Sequence, residues 1–143
     1  MRTFAKGDRI PLRVQQVWTI LTAHAMLKPD GQNEAGAGWS GWGPGIVTYG
    51  DLAKQMGYDP KAAVVLAKHL GVIGYYCQEN DLPPLNSIAV NSETGVPGYG
   101  VVETEGFERD QKSVHKTDWF AIKTPSVKSF RDVYERHIAV SRR

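Results

Sequence analysis

"NDLPPLNSIAVNSETGVPGYG", residues 80–100, is the stretch on which the reading of the fold turns. Its double proline and clustered glycines argue against a helix, and "LNSIAVN" is its one short run with strand character. "SETG" comes next as a turn, and "VPGYGVVETEGF" reads as a second strand starting at Gly98 or Tyr99. A strand and a glycine-punctuated hairpin become a wing when a helix-turn-helix stands before them, so the preceding residues decide.

Those residues are "IVTYGDLAKQMGYDPKAAVVLAKHL", 46–70. Thr48 is placed to cap a short helix from about Tyr49 to Met56, with Asp51 three residues on as a weak capping box. Leu52, Ala53 and Met56 give that helix an apolar face, and Gly57 is placed to end it. Asp59 then caps a second helix that carries Pro60 in its first turn, with Leu66 and Leu70 behind. Two short helices joined by a tight glycine turn form a helix-turn-helix unit. Gly71 and Gly74 interrupt the next residues, so "VIGYYCQEN" is either a kinked continuation of the second helix or a separate helical piece.

The flanks supply the rest of the core. In "PLRVQQVWTILTAHAML", Val14, Val17, Trp18, Leu21 and Ala25 recur at helical spacing, Pro11 suits a first turn and "KPDG" stops the helix. In "TDWFAIKTPSVKSFRDVYERHIAV", Trp119–Ile122 reads as a short strand. Ser126 then caps a helix with Phe130, Val133, Tyr134 and His137 on one face, placed to pack against the first helix. Residues 29–45 form a glycine-rich loop, long for a structureless connection in a compact domain. It is either a linker whose Trp39 and Trp42 fold back onto the core, or a flap presenting those rings to a ligand or partner. The expected fold is α+β: a single domain over 1–143, with a winged helix-turn-helix core at 46–100 and helices from both termini packed on it.

Composition bounds the function. Hydrophobic residues make up 41% of the chain and charged residues 22%, which is ordinary for a globular domain, and a net charge of +2 does not by itself indicate nucleic acid. Charge is uneven, however. Arg2, Lys6, Arg9 and Arg13 crowd the N-terminus against Asp8, whereas residues 79–110 are strongly acidic. The single cysteine excludes an internal disulfide and a multi-thiolate zinc site, and fits a reducing compartment. The N-terminus shows no apolar signal region, and no run has the length of a membrane span, so a cytoplasmic location and no membrane partner are expected. His24, His69, His115 and His137 are scattered, and none pairs with a second ligand type at metal spacing. No cofactor or metal site is therefore expected. Cys77 stands at helical spacing from Leu66, Leu70 and Ile73 and reads as a buried small hydrophobe.

Residues 46–100 resemble the DNA-binding domain of the O6-alkylguanine–DNA alkyltransferases and their non-enzymatic relatives, the alkyltransferase-like proteins. "TYGDLA" at 48–53 is similar to the family's opening helix, and Pro60-Lys61-Ala62-Ala63 to the start of its recognition helix. Asn80, then Pro83 and Pro84, lead to "NSIAV" at 86–90 and "GVPGYG" at 95–100, in the family's order. Two departures fall on the chemistry. Ser87 stands where the family has its alkyl-accepting cysteine, followed by Ile88-Ala89 instead of His-Arg. A hydroxyl with no histidine beside it does not replace an activated thiolate. Val64 stands where the family has the arginine that holds the duplex open.

The resemblance therefore implies a non-catalytic protein that recognises duplex DNA, modified or damaged duplex included, through Tyr49, Lys54, Lys61, Ala62, Ala63, Lys68, Asn80, Ser87 and Tyr99. Small Ala62 and Ala63 would allow close approach to the DNA, and Lys61 at a helix start could meet a phosphate. Against this, the segment 46–100 carries more acids than lysines, and phosphate contacts dominate affinity. The alternative is a protein-interaction adaptor using the winged helix together with Trp39 and Trp42, because a fold does not determine a function.

Overall fold

The computed structural model describes residues 9–27, 45–97 and 106–139, apart from the side chains of residues 62–64 and 139. Trp39, Trp42 and Tyr99, most of the glycine-rich loop and the expected second strand of the hairpin lie outside the described residues. Within them the chain is mostly helical, with one small two-stranded parallel sheet.

Helix α1 (Arg9–Ala25) follows its apolar periodicity, and Val14, Val17, Trp18, Leu21 and Ala25 are all buried. Pro11 sits in the first turn, where no amide partner is lost. Trp18 is the hub of the core. Its indole meets Tyr76 edge-on at 5.5 Å and Trp119 edge-on at 5.6 Å, and it lies tilted against Phe130 at 5.9 Å. Edge-to-face geometry sets the positive rim of one ring on the negative face of another, worth about 0.5–1.5 kcal/mol per pair beyond burial. One side chain thus ties α1 to three other parts of the fold.

Strand β1 (Val47–Thr48) leads directly into α2 (Tyr49–Gln55), whose N-cap is Thr48, accepting the Asp51 amide at 3.1 Å. A 3-10 helix over Pro60–Val65 then passes into α3 (Leu66–Glu79). The second helix of the expected pair thus begins one 3-10 segment late. α3 runs unbroken through Gly71 and Gly74, which settles the alternative left open by the sequence. Gly71 is buried, and a Cβ built on it would lie 3.5 Å from Ile138, so this glycine is a point of close approach for the C-terminal segment.

The structure corrects the extent of the strand expected over residues 85–91. Leu85–Ile88 forms a 3-10 helix and only Ala89–Val90 is strand, β2, which pairs in parallel with β1 through Val47↔Ala89 and Thr48↔Val90. The turn after it is real. The Asn91 amide donates to the Val96 carbonyl at 3.1 Å, and the Asn91 side chain accepts the Glu93 amide at 2.7 Å. Residues 107–116, of which only the first four belong to the acidic stretch 79–110, form α4 (Phe107–Lys116), which starts after Gly106 at φ +84°. The strand expected at Trp119–Ile122 is instead a 3-10 turn, Trp119–Ala121, capped by Asp118. Buried Trp119 beside Phe120, which is 70% exposed, imitates the in-out alternation of a strand. α5 (Val127–Tyr134) is capped by Ser126 as expected. It packs on α1 and α3 through Phe130 and Val133, then continues as a π-helical turn over Glu135–Ala139.

Candidate nucleic-acid interface

The turn between α2 and α3 is built by local rules. Gly57 adopts φ +83° with open space around it, so it is glycine for its backbone angle alone. The chain reverses as the Tyr58 amide donates to the Ala53 carbonyl at 2.8 Å. The Asp59 carboxylate accepts the Lys61 amide, also at 2.8 Å, and starts the 3-10 segment. This leaves Lys54 and Lys61 exposed, with Lys61, Ala62 and Ala63 on the 3-10 segment itself and Val65 half exposed at its end.

Lys68, one turn into α3, faces a groove of about 620 Å³ between the head of α3 and the start of α1. Arg9 and Arg13 line it from α1, and Tyr58 from the turn, with His69 beside Lys68. The Arg13 guanidinium lies 5.8 Å above the Tyr58 ring centroid and donates to Gln16 Oε1 at 2.9 Å, so it is held in place. Arg9 and Arg13 are four residues apart on one helix face, a like-charge pair that disfavours an isolated helix by about 0.2–0.5 kcal/mol. No described acid lines the groove. Burial holds the His69 imidazole below its ordinary pKa, partly offset by its 3.0 Å hydrogen bond to the Val65 carbonyl, while the charges of Arg13 and Lys68 push it down further.

The remaining expected site residues lie elsewhere. Tyr49 is 6% exposed and belongs to the core, so its ring is not presented at the surface, in contrast to the expectation for a DNA contact. Asn80 is exposed but caps the far end of α3, its side chain donating to the Tyr76 carbonyl at 2.9 Å, roughly 18 Å along the helix from Lys68. Ser87 is buried beneath α4. Its carbonyl accepts Gln111 Nε2 at 2.8 Å, and its hydroxyl has no hydrogen-bond partner among the described residues. Burial pushes the Cys77 thiol up to about 12, which leaves it protonated and unreactive at neutral pH. His115 and His137 are structural. His115 Nε2 donates to the Gly45 carbonyl at 2.8 Å, and His137 stacks on Tyr75 at 4.1 Å and bonds Glu79.

Spacing and motif alone do not mark Arg9 and Arg13 as site residues. The signal for them is the basic N-terminus, but their meeting with Lys68 depends on how α1 packs across α3. No protein-family model matches the chain, and no curated protein or solved structure matches it either.

Proposed function

We propose that the protein is a non-catalytic binder of duplex DNA, modified or damaged duplex included, as the alkyltransferase-like resemblance implies. It would present the 3-10 segment Pro60–Val65 and the head of α3 to the phosphate backbone. The observation that carries this reading is the gathering of Arg9, Arg13 and Lys68 on one groove that no described acid lines, with Lys61 exposed on the 3-10 segment that leads into α3. Cations from α1 thus join those of the helix-turn-helix. This answers the objection that residues 46–100 alone are too acidic to hold phosphates, because charge-assisted contacts from both elements add to the affinity. With the single thiol, Cys77, protonated and Ser87 buried, the protein would recognise DNA without transferring an alkyl group to either residue.

Fluorescence-anisotropy titration of a labelled duplex tests the reading. Lys61→Ala, Lys68→Ala and Arg13→Ala should each weaken binding on any sequence, whereas Lys128→Ala, whose side chain is exposed on α5, should not. Unchanged affinity in all three groove and turn variants would turn the argument toward the adaptor.

A further inference from the structure

The groove between α1 and the head of α3 contains more than a backbone phosphate requires. Its walls are mostly apolar and its volume of about 620 Å³ falls within the range of small-molecule sites. It also holds an aromatic ring, Tyr58, and His69, which is only 7% exposed. Duplex DNA presents its phosphates on a convex outer surface. A concave, mostly apolar site lined by three cations suits a compact ligand with one anionic end and one flat apolar end.

We propose that this groove is a binding site for a nucleoside monophosphate, with Arg9, Arg13 and Lys68 holding the phosphate and the base lying on the apolar wall beside Tyr58. The proposal goes beyond the duplex reading and shares with it only the cations. Arg13 is the anchor. Gln16 and the Tyr58 ring fix its guanidinium, so little side-chain freedom is lost when a phosphate arrives. A phosphate dianion between Arg9 and Arg13 also converts their mutual repulsion into shared attraction.

His69 adds a signature of its own. The Val65 carbonyl can only accept, so His69 Nδ1 carries the proton of that 3.0 Å bond and Nε2 is left to meet a ligand. The charged groups facing it are Arg9 and Arg13 from α1 and Lys68 from α3, with Tyr58 from the turn, and no described acid lines the site. A bound phosphate offsets the cations that disfavour the imidazolium, so binding shifts His69 toward its protonated form.

The test is calorimetric titration of the full chain with the four common nucleoside 5′-monophosphates, their parent nucleosides and inorganic phosphate. At least one nucleotide should bind tenfold or more tightly than both its nucleoside and phosphate. Arg13→Ala should weaken it by about tenfold or more, and Arg13→Lys, which keeps the charge but not the fork, should fall between the two. Tyr58→Leu removes the ring beside the base and one of the two contacts that hold Arg13, so it should weaken nucleotide binding more than phosphate binding, and thermal melting should show each variant folded. Absence of nucleotide binding, nucleotides no tighter than phosphate, or a folded Arg13 variant with unchanged affinity would each overturn the proposal. Retention of duplex without nucleotide binding would sink this inference and leave the DNA reading standing; nucleotide binding without duplex retention would do the reverse.

Discussion

Gly57, after α2, and Gly71, inside α3, should respond to alanine with opposite signs. Gly71 lies inside α3, and a Cβ there would meet Ile138 at 3.5 Å, an ordinary van der Waals distance. Gly71→Ala therefore gains the helix propensity that glycine forgoes, about 0.5–1 kcal/mol, with a small further gain from the new contact. Gly57 has open space around it but a backbone angle of φ +83°, so Gly57→Ala loses only what the left-handed conformation costs, about 1–2 kcal/mol. For a domain of this size each kcal/mol moves the midpoint by about 3–5 °C. Gly71→Ala should then melt about 2–5 °C above the parent and Gly57→Ala about 3–10 °C below it, with urea titration confirming both at unchanged m-value. A lowered Tm for Gly71→Ala would refute the continuous α3, because it would mean that the chain needs a break or a closer approach at that point.

Other perturbations act on single contacts. Ser126→Ala should cost about 1 kcal/mol by urea denaturation, since the Ser126 hydroxyl accepts the Ser129 amide at 3.0 Å and caps α5. Hydrogen bonds from Arg136 and His137 hold the Glu79 carboxyl below its ordinary pKa. Its contribution is present above the unfolded carboxylate value and is lost as pH falls through the depressed one, so Glu79→Gln should flatten the acid limb of a Tm–pH profile. His69 is depressed too. Stability should therefore decline as pH falls below the ordinary histidine value of about 6.5, and His69→Asn should remove that part of the decline. Cys77 should resist a thiol reagent until the protein unfolds, and incubation with O6-alkylguanine duplex should leave the intact mass unchanged; an added alkyl group would overturn the non-catalytic reading.

Elements with strong periodicity or a cap were legible in the sequence. Val14 to Ala25 announced α1, and Thr48, Gly57, Asp59 and Ser126 stand where local chemistry put them. The pairing of β2 was not legible. A two-residue strand has no measurable alternation, and a parallel partner distant in the chain leaves no turn signal. α4 escaped because it buries little more than Val114 and His115, so its face is nearly all polar. The clue was its charge order, Glu108 and Asp110 in the first turn and Lys116 in the last, which matches the helix dipole. At the candidate site, Lys54, Lys61 and Lys68 could be named from the resemblance and from their places on the expected helices. The resemblance put Tyr49 at the surface, but a residue just after a cap can point either way, and packing turned it inward. The part played by Arg9 and Arg13 depends on tertiary packing that no local pattern encodes.

The most direct test of the central claim is a mobility-shift titration of the full chain with plain duplex and O6-alkylguanine duplex at two salt concentrations. The account predicts retardation of the duplex that weakens as salt rises, with the log–log slope falling by about 0.9 for each phosphate contact removed in Lys61→Ala and Arg13→Ala. Absence of retardation at the lower salt, or retardation whose slope is the same in both variants as in the parent, would contradict it.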